Sequence, residues 1–342
     1  MKASTRVRFK RSDVEVTRLG MGTAPLGGLY AEVKGTDATG ALERAWTAGI
    51  RYFDTAPMYG HGRAEHLTGD FLRTRDPSES FVISTKVGRV FANERPGRPL
   101  PPAALQNELD PGWHNALPFR EVFDYSYDGI MRSFDDSQMR TGLPRFDILY
   151  VHDIGTLTHG DQHAGHWTAL TVGGGFKALT ELRQAGNIKA IGLGVNEWQV
   201  ARDALEEVDL DCCMLAGRYT LLDQGAAEVF LPLALRRQVD IVAAGVFNSG
   251  ILAGGKRARP KYDYADAPEH IILRVARIEA ICASYEVPLP AAAMQYPMLH
   301  EAVTCTVIGA KTESQIATNV EWFEQPIPPA LWDALRHEGL IG

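Results

Sequence analysis

The sequence predicts an α/β protein built as one closed (β/α)8 (TIM) barrel, and three observations carry that prediction. Eight short, apolar, β-rich runs recur along the 342 residues. Longer amphipathic stretches separate them, the alternation expected of parallel βαβ units. The runs are apolar through their interiors, as strands buried on both faces are. A count of eight favours closure over an open doubly wound sheet, and the whole chain, 1–342, reads as a single barrel domain.

The elements follow in order. Residues 5–17 alternate charged and apolar positions and predict an N-terminal β-hairpin plugging the barrel floor. "RLGMGTA" (18–24) is the first strand, and "TDATGALERAWTAG" (36–49) is a helix stopped by Gly49, a glycine in the position that ends helices. "IRYFDTA" (50–56) is the second strand, broken by Pro57 and Gly60, and "SFVISTKVG" (80–88) is the third. The stretch 89–122 is rich in Pro, Gly and aromatics and too long for a simple strand-to-helix connection; it predicts a loop that overhangs the catalytic mouth and covers substrate. "FDILYVHD" (146–153) is the fourth strand, and "FKALTELRQAG" (176–186) a helix ending at Gly186. "KAIGLGVNE" (189–197) and the helix "WQVARDALEEV" (198–208) follow. "CCMLAGRYT" (212–220), "DIVAAGVF" (240–247), the helix "PEHIILRVARIEAICASYEV" (268–287) and "TCTVIGA" (304–310) complete the set.

Composition narrows the function class. With 45% hydrophobic and 23% charged residues this is an ordinary globular chain. A net charge of −7 argues against a nucleic-acid partner. No apolar run approaches the roughly 20 residues that cross a bilayer, and no apolar segment follows the basic start of a secretory signal. The four cysteines, Cys212, Cys213, Cys282 and Cys305, form no C-x-x-C pair and read as reduced, buried thiols of a cytoplasmic protein. The expected partner is a small-molecule substrate; oligomeric state is not legible.

In a barrel, functional side chains project from the C-terminal ends of strands. Those ends carry Asp54 and Tyr59 after strand two, Lys86 on strand three and His152 on strand four, then Asn196, Arg218 and Tyr219. Taken singly, an Asp after a strand is a turn residue and a lone Lys is a solvated charge. Four at matching strand ends make a chemical unit. A phenol with a pKa near 10 exchanges protons poorly at neutral pH. A nearby ammonium favours phenolate, a carboxylate holds the ammonium, and a His orients an oxygen. Such a unit suits proton transfer at an oxygen while hydride moves at its carbon. The histidines of "VHDIGTLTHGDQHAGHW" (151–167) read as a Gly/Thr-rich loop without helical register, and no metal is expected.

The segments "YFDTAPMYG", "STKVG", "LYVHD", "IKAIGLGVNEW" and "VIGAKTESQIATN", in this order, resemble the aldo-keto reductase superfamily over essentially the whole chain. The resemblance implies Tyr59 as general acid/base, Lys86 as its pKa partner, Asp54 as the anchor of Lys86, and His152 as the substrate-orienting residue. It implies a nicotinamide dinucleotide bound without a Rossmann domain, contacted by Gly22, Thr23, Asn196, Phe247, Asn248, Ser249, Gly250, Leu252, Gly309, Lys311, Gln315 and Asn319. Val195 stands where the family has a Ser beside Asn196, and Ala244 where it has a stacking Tyr. Gly309 and Gln315 occupy the places of the Lys and Arg that hold a 2′-phosphate, which implies NAD, with NADP less favoured.

"FDYSYDGIMRSFDDSQMRTGLPRFDILYVHD", "GLGVNEW" and "AGRYTLLDQ" are similar to the branch of aldose 1-dehydrogenases and pyridoxal 4-dehydrogenase, which oxidise a cyclic hemiacetal to a lactone. The loop 89–122 offers Arg89, Asn93 and Asn107 for a sugar and Phe91, Trp113 and Phe119 for an aromatic ring. Trp113, Phe91, Arg218 and Tyr219 are the expected substrate contacts. The expectation leans to an aldose of the L-fucose or D-galactose type, with pyridoxal as the alternative. A nicotinamide-binding redox sensor with negligible turnover is the contrasting class.

Overall fold

Each apolar run becomes a strand shorter than itself, because its polar flanks leave the ladder to form the loops of the barrel mouth. In a computed structural model, which describes residues 1–76, 78, 80–92, 112–254 and 259–342, the barrel strands are β1 (Leu19–Gly22), β2 (Tyr52–Asp54), β3 (Val82–Val87) and β4 (Ile148–His152). They continue as β5 (Ala190–Val195), β6 (Cys212–Ala216), β7 (Asp240–Ala244) and β8 (Val303–Gly309). All eight pair in parallel in chain order, and β8 returns to β1, closing the predicted (β/α)8 barrel. The four helices expected from periodicity lie at Gly35–Thr47, Gly175–Gln184, Trp198–Glu207 and Glu269–Ser284. Gly49 and Gly186 follow two of them with φ of +85° and +78°, the left-handed turn a helix end needs.

Strand alternation sorts the side chains into two layers. Tyr52, Val82, Ile148, Tyr150, Cys212, Val242 and Val307 fill the barrel interior. Phe53, Ile83, Leu149, Val151, Leu193 and Leu215 point outward against the helices. This parity fixes the site, because Asp54 shares the inward phase of Tyr52, Lys86 that of Val82, and His152 that of Ile148 and Tyr150. At the floor, Arg6–Arg8 pairs antiparallel with Glu15–Thr17, and Phe9, Val14 and Val16 cap the interior cluster, so the predicted hairpin is present. The Asp240 carboxylate fastens it, accepting from Lys10 N at 2.6 Å and Lys10 Nζ at 3.0 Å. All four cysteines are buried and free.

The insertion after β3 begins and ends in a two-stranded stem, Arg89–Ala92 against Arg120–Phe123. Asn93 and Asn107, expected to meet substrate, lie outside the described residues. One expectation is corrected. The His-rich segment is not a loop but two short helices, Thr156–His159 and His163–Thr171. The Glu197 carboxylate, from the loop after β5, accepts the Leu157 N–H at 2.9 Å and supplies a tertiary cap that local sequence does not reveal. Among the described residues, no helix is long and apolar enough to cross a membrane.

Tyr59 is set in place by contact between two backbones. Gly60 has φ +64°, and a Cβ there would stand 2.4 Å from Gly27 O; a Cβ on Gly27 would stand 2.5 Å from the Tyr59 carbonyl carbon. Gly60→Ala is therefore expected to lower folding stability by about 2 kcal/mol and to depress activity together with it, read from the denaturant midpoint and from turnover.

Candidate active site

A carboxylate and an ammonium lie buried together at the mouth. Lys86 Nζ donates to Asp54 Oδ2 at 2.7 Å, to Asp54 Oδ1 at 2.9 Å and to the Thr55 carbonyl at 3.0 Å. Ser84, one inward position before Lys86, donates to Asp54 Oδ1 at 2.7 Å and also meets the Tyr52 hydroxyl at 3.2 Å. These added bonds answer the desolvation that makes a buried ion pair expensive; removing one partner of such a pair typically costs about 3–5 kcal/mol. Burial works against the Lys86 ammonium, but Asp54 and Tyr59 outweigh it and its pKa stands above the ordinary value.

Lys86 Nζ lies 4.8 Å from the centre of the Tyr59 ring, and the His152 ring stands perpendicular to that ring at 6.2 Å. Lys86 acts on Tyr59 in the expected direction, and burial acts against it. Burial raises the Tyr59 pKa above that of a free phenol, and the pull of Lys86 opposes this without overcoming it. The resting group is a phenol. His152 is held well below its usual pKa, first by burial and then by Arg89 and Lys86, so it is a neutral imidazole. Its Nδ1 is buried and finds no partner among the described residues, while Nε2 lies 3.4 Å from Asp153 Oδ2.

These four residues line a single cavity of about 390 Å³ with two unlike halves. One half is bounded by Gly22, Ala216, Ala244, Gly245 and Gly309, small residues at the ends of β1, β6, β7 and β8. Asn248 stands behind it, its Nδ2 donating to the Gly217 carbonyl at 3.2 Å and its Oδ1 buried without a partner among the described residues. A flat ring bearing an amide fits that slot. The other half carries Arg89, Trp113, Glu121, Phe123 and His159. Asp153, with φ +45°, joins them, accepting from Arg89 Nη2 at 2.6 Å and Asn196 Nδ2 at 3.1 Å.

The structure brings Asn196, Gly22, Gly309 and Trp113 to the cavity, Trp113 with its ring 5.8 Å from that of Tyr59. Other expected contacts stand apart from its lining. Thr23 donates from Oγ1 to the Asp54 carbonyl at 2.9 Å. Phe247 packs on the outer core and Leu252 is buried within it, next to the left-handed Gly250. Lys311 N bonds Gln315 Oε1 at 2.9 Å on the surface, and Asn319 is buried in the last-but-one helix.

Three substrate assignments are corrected. Tyr219, three residues past the end of β6, is in the hydrophobic core against Tyr296 and His300. Phe91 faces His61, Phe119 and the Arg140 guanidinium. Arg218 acts at one remove: it pairs with Asp263 at 2.8 Å and donates to the Asn196 carbonyl at 2.6 Å. Asp263 and Tyr264, both left-handed, turn the hairpin Lys261–Tyr262/Ala265–Asp266, and Tyr264 N donates to Ser249 Oγ at 2.9 Å. Tyr264 thereby reaches the cavity lining, an aromatic that the strand ends do not announce. Glu121 and Ser84 were missed as well. Period-two counting back from Lys86 finds Ser84; no strand-end signal marks Glu121 or Tyr264.

Comparison with known proteins agrees with this geometry. The Aldo/keto reductase family profile matches residues 18–337. The chain is 63% identical over 341 residues to pyridoxal 4-dehydrogenase of Microbacterium luteolum, covering 100% of this chain and 99% of that one. It is 39% identical over 340 residues to D-threo-aldose 1-dehydrogenase of a Pseudomonas species, covering 99% of each. A holo aldo-keto reductase from Bacillus halodurans superposes with TM-score 0.73 at 21% identity, over 99% of this chain and 96% of that one, which establishes the shared fold. The chain belongs to the aldo/keto reductase family, whose members use nicotinamide cofactors.

Tyr59→Phe is expected to lower turnover by about 10²–10⁴-fold with cofactor affinity unchanged in a fluorescence titration; a binding protein without catalysis would show no such loss. A second expectation concerns acid. Burial first, then His166 and Arg89, pushes His159 down to about 3. The unfolded chain takes up that proton near 6.5, so stability falls as pH drops from about 6.5 toward about 3. His159→Gln should flatten that fall, measured as the denaturant midpoint against pH.

Proposed function

Within this family we propose that the protein is an NAD-dependent pyridoxal 4-dehydrogenase, oxidising the cyclic hemiacetal of pyridoxal to 4-pyridoxolactone. The observation that carries the reading is the 63% identity, end to end, with a pyridoxal 4-dehydrogenase, against 39% for the aldose enzyme. This reverses the lean toward a sugar drawn from loop composition. The aromatic residues Trp113 and Tyr264 in the cavity lining support a flat ring over a saturated one.

The chemistry follows from the residues. The hemiacetal hydroxyl sits between Tyr59 and neutral His152, which orients its oxygen by hydrogen bonding. Tyr59 gives up its own proton to solvent and, as the phenolate, takes the hydroxyl proton as the carbon–oxygen double bond forms, while hydride leaves the same carbon. A nicotinamide held at this mouth in its oxidised form would supply the hydride acceptor. Lys86 draws toward phenolate a group that burial holds as a phenol. Asp54 and Ser84 keep Lys86 charged and still. Gly309 and Gln315, in place of cations, leave a 2′-phosphate without its bidentate partners and favour NAD.

Pyridoxal, L-fucose and D-galactose, each offered with NAD and with NADP, decide the matter by the absorbance of reduced cofactor. Pyridoxal with NAD is expected to give the highest kcat/KM. A higher value for either sugar transfers the reading to an aldose 1-dehydrogenase, and a higher value with NADP overturns the cofactor preference.

A further inference from the structure

The substrate half of the cavity holds hydrogen-bonding valence that the protein does not use. Glu121, on the Arg120–Phe123 strand of the insertion stem, accepts from Arg89 Nη1 at 2.8 Å through Oε2. Its second oxygen, Oε1, is buried and has no partner among the described residues. Two donors in the same cavity, Arg89 Nε and Trp113 Nε1, are likewise buried and unpartnered among those residues. Arg89 is otherwise fully engaged, with Nη2 on Asp153 at 2.6 Å and its guanidinium 4.8 Å over the Phe123 ring. Arg120 lines the cavity too, so formal charge there is not in surplus; the mismatch is one of empty acceptor and donor positions. Buried polar groups without partners are costly, and a ligand that completes them is selected over one that cannot.

Resting on the hydroxypyridine substrate class argued above, we propose that Glu121 is a specificity-determining residue that accepts a hydrogen bond from the protonated ring nitrogen of the substrate. A 3-hydroxypyridine moves its phenol proton onto nitrogen and so presents an N–H⁺ donor on one edge and a phenolate acceptor on another. The first matches Glu121 Oε1; the second matches the Trp113 and Arg89 N–H groups. Trp113 supplies the aromatic wall beside Tyr59 against which such a ring would rest. A carbocyclic ring of the same shape offers no donor and leaves Oε1 empty. Arg89 fixes the Glu121 carboxylate in this orientation, and Asp153 ties Arg89 to the His152 end of the cavity, so nitrogen recognition and oxygen orientation share one rigid chain of side chains.

The test is binding to the cofactor-loaded protein by calorimetry, using 3-hydroxypyridine-4-methanol and salicyl alcohol, which share one skeleton with ring N against CH. The wild-type preference reads N–H⁺ and phenolate together, and Glu121→Gln isolates the N–H⁺ part. Wild type should prefer the pyridine by about tenfold or more, and Glu121→Gln should bring the two within about twofold by weakening the pyridine alone. Equal affinities in wild type, or an equal loss of both ligands in the variant, overturn the assignment. Turnover of pyridoxal is measured beside it. Its absence overturns the proposed substrate, while the ligand preference still reads out Glu121 independently.

Discussion

The buried pair between Lys86 and Asp54 is the constraint on which the rest of the site depends. Neither charge survives burial alone, so the barrel surrounds them with Ser84, Thr55 and, behind Ser84, the hydroxyls of Tyr52 and Tyr150, which meet at 3.1 Å. The result is a polar column running down an otherwise apolar interior. It holds the ammonium beside Tyr59 without asking solvent to stabilise it, and it makes β2, β3 and β4 a single rigid frame.

Much of this was legible in the sequence because strand parity and strand ends are local properties. Asp54, Lys86 and His152 sit in inward phase on apolar runs, and the structure gathers them as their spacing requires. The residues that escaped notice come from outside the barrel repeat. Tyr264 arrives on a hairpin whose turn needs two non-glycine residues in left-handed conformation, and Glu121 comes from the far side of an insertion. Arg218 lies near a strand end, as expected of a contact residue, yet serves to hold that hairpin. Tyr219 next to it lies past the strand's end and belongs to the core. Fold follows from periodicity; the half of the cavity built by insertions follows only from tertiary pairing.

The electrostatics carry a similar lesson. Listing charges near Tyr59 suggests an acidified phenol, but desolvation is the larger effect and leaves the group protonated at rest.

The N-terminal hairpin has a consequence for where the cavity lies. Phe9, Val14 and Val16 act as a stopper at one end of the tube, fastened through Lys10 to Asp240. Above the stopper Tyr52, Ile148, Tyr150 and Val242 fill the tube, so the hairpin seals a packed core and leaves the open cavity wholly to the opposite end, where the strand ends and the insertions shape it.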